Sequence, residues 1–217
     1  MDTMVGEKAR SRGENADWYP VCKRVLDVLV SAAVLVLMLP AMALIALAVV
    51  LDDPRAGPIF VQTRVGKDGT LFRLYKFRTM VPGAEKQLEQ LRCRNEMDGP
   101  VFKLRRDPRI TRVGRLLRRS GLDELPQLWN VLRGEMSLVG PRPGLPEEVR
   151  QYDAFARRRL MVQPGITCYW QVMPERNNLS FEQWMALDND YLRDMDLWTD
   201  WKILLETVKA VFRMDGQ

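Results

Sequence analysis

Histidine is absent from all 217 residues. That absence removes every triad or general base built on imidazole and every imidazole-ligated metal site. Catalysis by this chain would have to rest on carboxylates, Lys, Arg, Tyr or Cys. Cysteine is nearly as scarce: Cys22, Cys93 and Cys168 are odd in number and far apart. They fit neither a disulfide framework nor a zinc spacing, which points to a reducing, cytosolic compartment. Internal repeats and low-complexity tracts are missing too. What is present is ordinary for a folded domain. A content of 47% hydrophobic and 28% charged residues excludes a disordered chain. Lys and Arg outnumber Asp and Glu by 33 to 28, a net +5 that suits phosphate-rich partners or an anionic membrane face.

Charge is also missing locally. From Val28 to Leu51, 24 residues carry none. As a straight helix this run would reach about 36 Å, enough for a hydrocarbon core of roughly 30 Å. A buried core helix is the competing reading, although core helices rarely run so long without a polar face. A cleaved leader is a third, opposed by Asp2, Glu7, Glu14, Asp17 and Asp27 ahead of the run. Pro40 lies near the centre and predicts two half-helices, Val28–Leu39 and Ala41–Leu51, each about 18 Å long and too short to span alone. Lys8, Arg10, Arg12, Lys23 and Arg24 precede the run, and Arg55, Arg64 and Lys67 follow it. Cytoplasmic preference of basic flanks therefore favours a hairpin that enters and leaves on one face over a single span.

The remaining chain reads as a polar tail over 1–20, the anchor over 21–55 and one catalytic domain over 56–217. Ile59–Val65 and Thr70–Phe77 predict a hairpin around Asp68-Gly69. Surface or basic helices are expected over Ala84–Arg94, Arg112–Arg119, Asp123–Leu132 and Glu147–Val162. Two more are expected after a Ser180 cap and over Asp200–Phe212. Gly140–Gly144 and the stretch from Pro164 to Asn178 read as irregular. Trp184, Trp198, Trp201 and Phe212 beside basic residues suit either a headgroup interface or ordinary core packing.

Asp123-Glu124 stands out by context. Pro126 is tolerated only in the first turn of a helix, so Asp123 falls at or just before an N-terminus, where the helix dipole favours carboxylate charge. Simple capping by Asp123 or Ser120 accounts for the same residues. A basic helix ending in Arg118 leads into this turn, Arg142 is fixed between Pro141 and Pro143, and Arg176 follows Pro174. Arginines fixed in rigid loops present a bidentate fork to phosphate at low entropic cost. Neighbouring helical residues point about 100° apart, so the two carboxylates cannot share one job.

The ordered motifs Lys23-Arg24-Val25-Leu26-Asp27, Tyr75-Lys76-Phe77-Arg78-Thr79-Met80, Asp107-Pro108-Arg109-Ile110-Thr111, Leu122 to Leu132, Gly134 to Pro143 and Pro164-Gly165-Ile166-Thr167 resemble those of the bacterial sugar transferases, the small monotopic phosphoglycosyl transferases. The resemblance covers residue 20 to the C-terminus. It implies transfer of a phosphosugar from a UDP-sugar to undecaprenyl phosphate, releasing UMP, by ping-pong chemistry through a phosphosugar on an aspartate. Carried over, Asp123 is the nucleophile and touches Mg²⁺, Glu124 is its partner, Arg118, Arg142 and Arg176 hold phosphates, and Lys76 lies near the site. The implied fold is mainly α with a small β-hairpin, a re-entrant membrane helix-hairpin, and cytoplasmic and interfacial amphipathic helices. The implied location is the cytoplasmic face of the bacterial inner membrane, among its lipids. No nucleic-acid partner is expected, and a homo-oligomer is allowed. A membrane-tethered basic binding protein and a catalytically silent scaffold are the alternatives. The transferred sugar is not legible.

Overall fold

The computed structural model describes residues 18–174 and 176–213, the side chain of Phe212 excepted; most of the expected tail, residues 1–17, lies outside the described residues. The chain is mainly helical with two small sheets. α1 (Tyr19–Asp52) is continuous over 34 residues with Pro40 inside it, not two half-helices. One proline removes a single backbone hydrogen bond, and the Leu, Ala and Met on either side carry the helix through it. β1 (Ile59–Val65) and β2 (Leu71–Phe77) pair antiparallel as expected, with Ile59 opposite Phe77 and Val65 opposite Leu71. Their connection is longer than a two-residue turn. A single 3₁₀ turn over Lys67–Gly69 carries Asp68 at φ 54°, and the loop closes through Gly66 N–H to the Thr70 carbonyl at 2.7 Å.

α2 (Ala84–Leu91) and α3 (Arg112–Ser120) follow. The Thr111 hydroxyl caps α3 by accepting from Gly114 N at 3.0 Å. The single helix expected over Asp123–Leu132 is instead a 3₁₀ turn, Leu122–Glu124, followed by the short α4 (Gln127–Leu132). The long helix expected over Glu147–Val162 is also broken. It divides into α5 (Pro146–Arg150), α6 (Ala154–Arg157) and a 3₁₀ turn, because Asp153 leaves helical geometry to cap α6 at Ala156 N, 2.7 Å away. Two three-residue strands pair in parallel: β3 (Ser137–Val139), for which no element was expected, and β4 (Gly165–Thr167), within the stretch expected to be irregular. α7 (Phe181–Asp194) starts from a Ser180–Gln183 capping box, and α8 (Leu197–Arg213) ends the described chain.

α1 is fastened to the domain at both ends. Near its start, Lys23 reaches the Asp200 carboxylate at 2.6 Å and the Val139 carbonyl at 3.0 Å. Arg24 donates to the carbonyls of Val131 (2.6 Å) and Leu132 (2.9 Å), and Asp27 accepts from Leu138 N at 3.0 Å. At its far end, Asp52 accepts from Val113 N at 3.0 Å, on the first turn of α3. Between these anchors Val30, Val34 and Leu35 pack on a core of Phe72, Leu74, Val131, Met136, Val139, Tyr191 and Ile203, while Met42, Ile45 and Val49 pack with Phe77 and Leu117. The outward face, including Leu29, Val36, Leu37, Leu39, Leu44, Leu47 and Leu51, is exposed and apolar. A helix this long and this apolar suggests membrane association.

The aromatic stripe divides. Trp184 is buried and stacked on Trp170 with ring centroids 4.2 Å apart. Trp198 and Trp201, with Leu205 and Val208, form an exposed apolar line along α8.

Close packing of α3 on the segment that follows β2 depends on Gly114. A Cβ there would lie 2.2 Å from the Thr79 carbonyl oxygen. Gly114→Ala should cost about 1–3 kcal/mol, read as a fall of several degrees in the melting temperature of detergent-solubilised protein. Gly57→Ala, whose Cβ would meet nothing within 4 Å, is the control. Equal melting of the two variants would contradict this packing.

Candidate active site

Gly121 ends α3 in the left-handed region, φ 71°, with its N–H bonded to the carbonyls of Arg118 and Leu117. Glycine takes that conformation without the Cβ penalty, and the chain turns sharply into the 3₁₀ segment. Pro126 then starts α4 at φ −62°. Asp123 and Glu124 are held between these two points, in a turn that rests on β2.

The two carboxylates have different surroundings. Glu124 Oε1 lies 2.6 Å from Lys76 Nζ and 3.7 Å from Arg142. Burial works against its charge, but Lys76 and Arg142 outweigh it and hold Glu124 below the usual carboxylate range. Asp123 is 7% exposed, and among the described residues its carboxylate takes no hydrogen bond and no ion pair within 4 Å. Burial pushes it up to about 6, against the more distant pull of Lys76, Arg118 and Arg142 and with the repulsion of Glu124. Two adjacent acids are thus separated by environment, one locked as a counter-ion and the other left open.

The cations around them are positioned by the fold. Lys76 projects from β2, and burial lowers its pKa despite Glu124. Arg118, on the last turn of α3, donates from Nε to the Thr79 hydroxyl at 2.9 Å and lies within electrostatic reach of Asp123. Thr79 holds α3 a second time through its carbonyl, which accepts from Thr111 N at 3.0 Å. Asn130, fully buried on α4, fixes the turn to the hairpin: its amide donates to the Arg73 carbonyl at 2.7 Å and accepts from Tyr75 N at 3.2 Å.

Arg142 is held through its backbone. The carbonyls of Pro141, Arg142, Pro143 and Gly144 accept, in order, from Gly165 N (3.0 Å), Arg159 (2.7 Å), Arg64 (3.1 Å) and Val65 N (3.0 Å). Two prolines leave this loop few N–H groups of its own, so donors on other elements supply its carbonyls. Arg159 is itself buried, in an ion pair with Asp188 at 2.8 Å. Arg142 and Arg176 both act electrostatically on Lys103, and the Arg176 guanidinium donates to the Gln171 carbonyl at 2.6 Å.

The structure therefore brings Asp123, Glu124, Lys76, Arg118 and Arg142 together, and links Arg176 to Arg142 through a shared electrostatic influence on Lys103. Sequence reasoning missed Thr79, Asn130, Arg159 and Arg64. The signal for the two arginines was the Pro-Arg-Pro-Gly loop itself, whose carbonyls needed external donors. Among the described residues no group of three or more acidic or cysteine side chains could hold a metal alone. Mg²⁺ ordinarily takes one or two carboxylates and completes its shell with phosphate oxygens and water. The open Asp123 oxygens fit that donor set.

A family model described as bacterial sugar transferase matches residues 18–214. The chain belongs to that family. The galactosyl transferase CpsE of Streptococcus agalactiae is 41% identical over 196 residues, covering 90% of this chain and 43% of that protein. The undecaprenyl-phosphate galactose phosphotransferase of Salmonella typhimurium is 42% identical over 201 residues, covering 89% and 41%. The exopolysaccharide production protein ExoY of Rhizobium meliloti is 39% identical over 196 residues, covering 88% and 85%. This sugar transferase chain thus spans about two fifths of the first two relatives and most of the third.

An open, buried carboxylate costs stability. Because folding raises the pKa of Asp123 to about 6 from an ordinary value of 3.8, its destabilising effect is absent below the unfolded pKa and complete above the folded one. Asp123→Asn should melt at a higher temperature than wild type at pH 7.5, by up to about 3 kcal/mol in stability. The gain should shrink to nothing near pH 4. A variant less stable than wild type at pH 7.5 would contradict the environment described.

Proposed function

We propose that this sugar transferase moves a phosphosugar from a UDP-sugar to undecaprenyl phosphate, giving undecaprenyl-diphosphate-sugar and UMP, through a covalent intermediate on Asp123. This would be the first membrane step of exopolysaccharide, capsule, O-antigen or other glycoconjugate assembly. The observation that carries the proposal is the division of labour between neighbouring acids, with Glu124 neutralised by Lys76 and Asp123 unpaired among cations. The names of relatives support the substrate class: galactose phosphotransfer to undecaprenyl phosphate in Salmonella, and glucose-1-phosphate transfer from UDP-glucose to the same carrier in Caulobacter vibrioides, 41% identical over 202 residues.

In the first half-reaction an Asp123 carboxylate oxygen attacks the sugar-bearing β-phosphorus. An O–P bond forms to Asp123, the bridging O–P bond breaks, and UMP leaves with the bridging oxygen and its electron pair. In the second, a phosphate oxygen of the polyprenyl carrier attacks the same phosphorus and the carboxylate leaves. Glu124 keeps Lys76 and Arg142 oriented toward the reacting phosphates, and Arg118 and Arg176 bind phosphate oxygens. Mg²⁺, held by Asp123 and the substrate phosphates, would neutralise phosphate charge that otherwise repels the carboxylate.

The attachments of α1 support the proposed location. Lys23, Arg24 and Asp27 at one end and Asp52 at the other bind the same domain. A straight span would need one end on the opposite side of the bilayer from that domain. This favours a re-entrant α1 with both ends at the cytoplasmic face of the inner membrane. The exposed Trp198, Trp201, Leu205 and Val208 line of α8 suits the headgroup interface there.

UMP release by membranes supplied with Mg²⁺, undecaprenyl phosphate and a panel of UDP-sugars tests the proposal. Asp123→Asn should abolish release, and the wild-type rate should fall at acid pH as the Asp123 carboxylate takes up a proton. Full activity in the variant would remove Asp123 as nucleophile.

A further inference from the structure

Three arginines are buried among the described residues: Arg64, Arg109 and Arg159. Two have a carboxylate against them, Arg109 with Asp107 at 2.6 Å and Arg159 with Asp188 at 2.8 Å. Arg64 has none within 4 Å among the described residues. Its guanidinium donates to two neutral acceptors, the Pro143 carbonyl at 3.1 Å and the Gln62 side-chain oxygen at 2.6 Å. Its Nε–H is buried without an acceptor. Arg142 lies close enough to oppose its charge, and burial with that repulsion pushes Arg64 down to about 10. A buried cation with no paired carboxylate among the described residues, Glu148 and Glu124 acting on it only from longer range, with a like charge nearby and one donor unsatisfied, is an arrangement that folding alone disfavours.

Arg64 also faces the chemistry. It lines one cleft with Lys76, Glu124, Gln127 and Arg142, floored by Ile166. That cleft lies on the Glu124 side of the paired acids. Among the described residues Glu124 is the one carboxylate on its wall, and it is already matched by Lys76. The cleft therefore has an excess of positive charge that a phosphate would balance.

We propose that Arg64 is a phosphate-binding residue, forming with Arg142 an anion subsite beside Glu124 that receives a substrate phosphate oxygen. The inference rests on the function proposed above. Its ligand is a phosphate group, carried either by the nucleoside diphosphate donor or by the polyprenyl phosphate acceptor. The planar fork of arginine suits this role, since Nε–H and a terminal N–H of one guanidinium can meet two oxygens of one phosphate.

The test is a binding measurement in the Asp123→Asn background, where no turnover consumes ligand. UDP and a short-chain polyprenyl phosphate are titrated separately into detergent-solubilised protein with and without Arg64→Gln, and melting temperature is followed in parallel. Arg64→Gln should weaken at least one ligand tenfold or more and remove that ligand's stabilising shift, while the ligand-free protein melts no lower than its parent. Loss for UDP alone assigns the subsite to the donor, loss for the lipid phosphate alone assigns it to the acceptor, and loss for both means that the two phosphates use it in turn. Affinities within twofold for both ligands would overturn the proposal. So would a lower ligand-free melting temperature with unchanged ligand shifts, which marks a purely structural arginine. If Arg64→Gln does not fold, Arg64→Lys keeps the charge and loses the fork; it should weaken binding at least threefold, and wild-type affinities for both ligands would overturn the proposal. A nucleophile elsewhere than Asp123 would alter UMP release but leave these affinities unchanged, so the two failures are distinguishable.

Discussion

The ion pair between Lys76 and Glu124, 2.6 Å long and largely screened from solvent, is the constraint on which the site depends. Two adjacent carboxylates in one buried turn repel each other, and in a low-dielectric setting both cannot remain charged without nearby cations. The pair resolves this by committing Glu124 to Lys76 on β2. Asp123 is left with cations at longer range and no direct partner among the described residues. The same pair fastens the turn to the hairpin, so the electrostatic division and the placement of Asp123 have one origin. Arg142 supports the arrangement at 3.7 Å from the same Glu124 oxygen, on a loop whose carbonyls are gripped by four separate donors.

The membrane-facing features and the site belong to one framework. α1 is part of the core: its inner stripe completes two hydrophobic clusters, and its polar residues bond the carbonyls of α4, the amide of Leu138 and the first turn of α3. The α3 helix, whose first turn donates to Asp52, carries Arg118 in its last turn, and its Gly121 cap leads directly into the turn that holds Asp123 and Glu124. A site built this way lies close to the lipid-seeking surface by construction, which suits a reaction joining a water-soluble nucleotide sugar to a lipid phosphate.

Much of this was legible in the sequence, and the exceptions have physical causes. The uncharged run Val28–Leu51, the β-branched and aromatic content of the hairpin strands and the basic α3 are local signals that mark the right elements, while Gly121 and Pro126 bracket the acids correctly but enclose a 3₁₀ turn and not the start of one helix. The parallel pairing of Ser137–Val139 with Gly165–Thr167 is long-range and three residues deep, too short for periodicity to reveal. Asp153 reads as an ordinary helix-surface acid until its cap is seen to break the chain there. Pro40 marks a break by propensity, yet apolar helix formers on both sides carry α1 through it. Lys23, Arg24 and Asp27 were visible as a motif without a reason; they are the rivets of α1. Arg64 and Arg159 gave no local signal, because burial of an arginine is decided by tertiary packing and not by its neighbours in sequence.

The central claim is that an uncompensated aspartate carries the phosphosugar between half-reactions. Intact-protein and peptide mass spectrometry of enzyme incubated with Mg²⁺ and a UDP-sugar, without polyprenyl phosphate, tests it most directly. Transfer through Asp123 predicts a mass increment equal to one sugar phosphate, localised to the peptide containing that residue and discharged when polyprenyl phosphate is added. An enzyme that turns over fully with both substrates while no such adduct forms, or forms on a different residue, would contradict it.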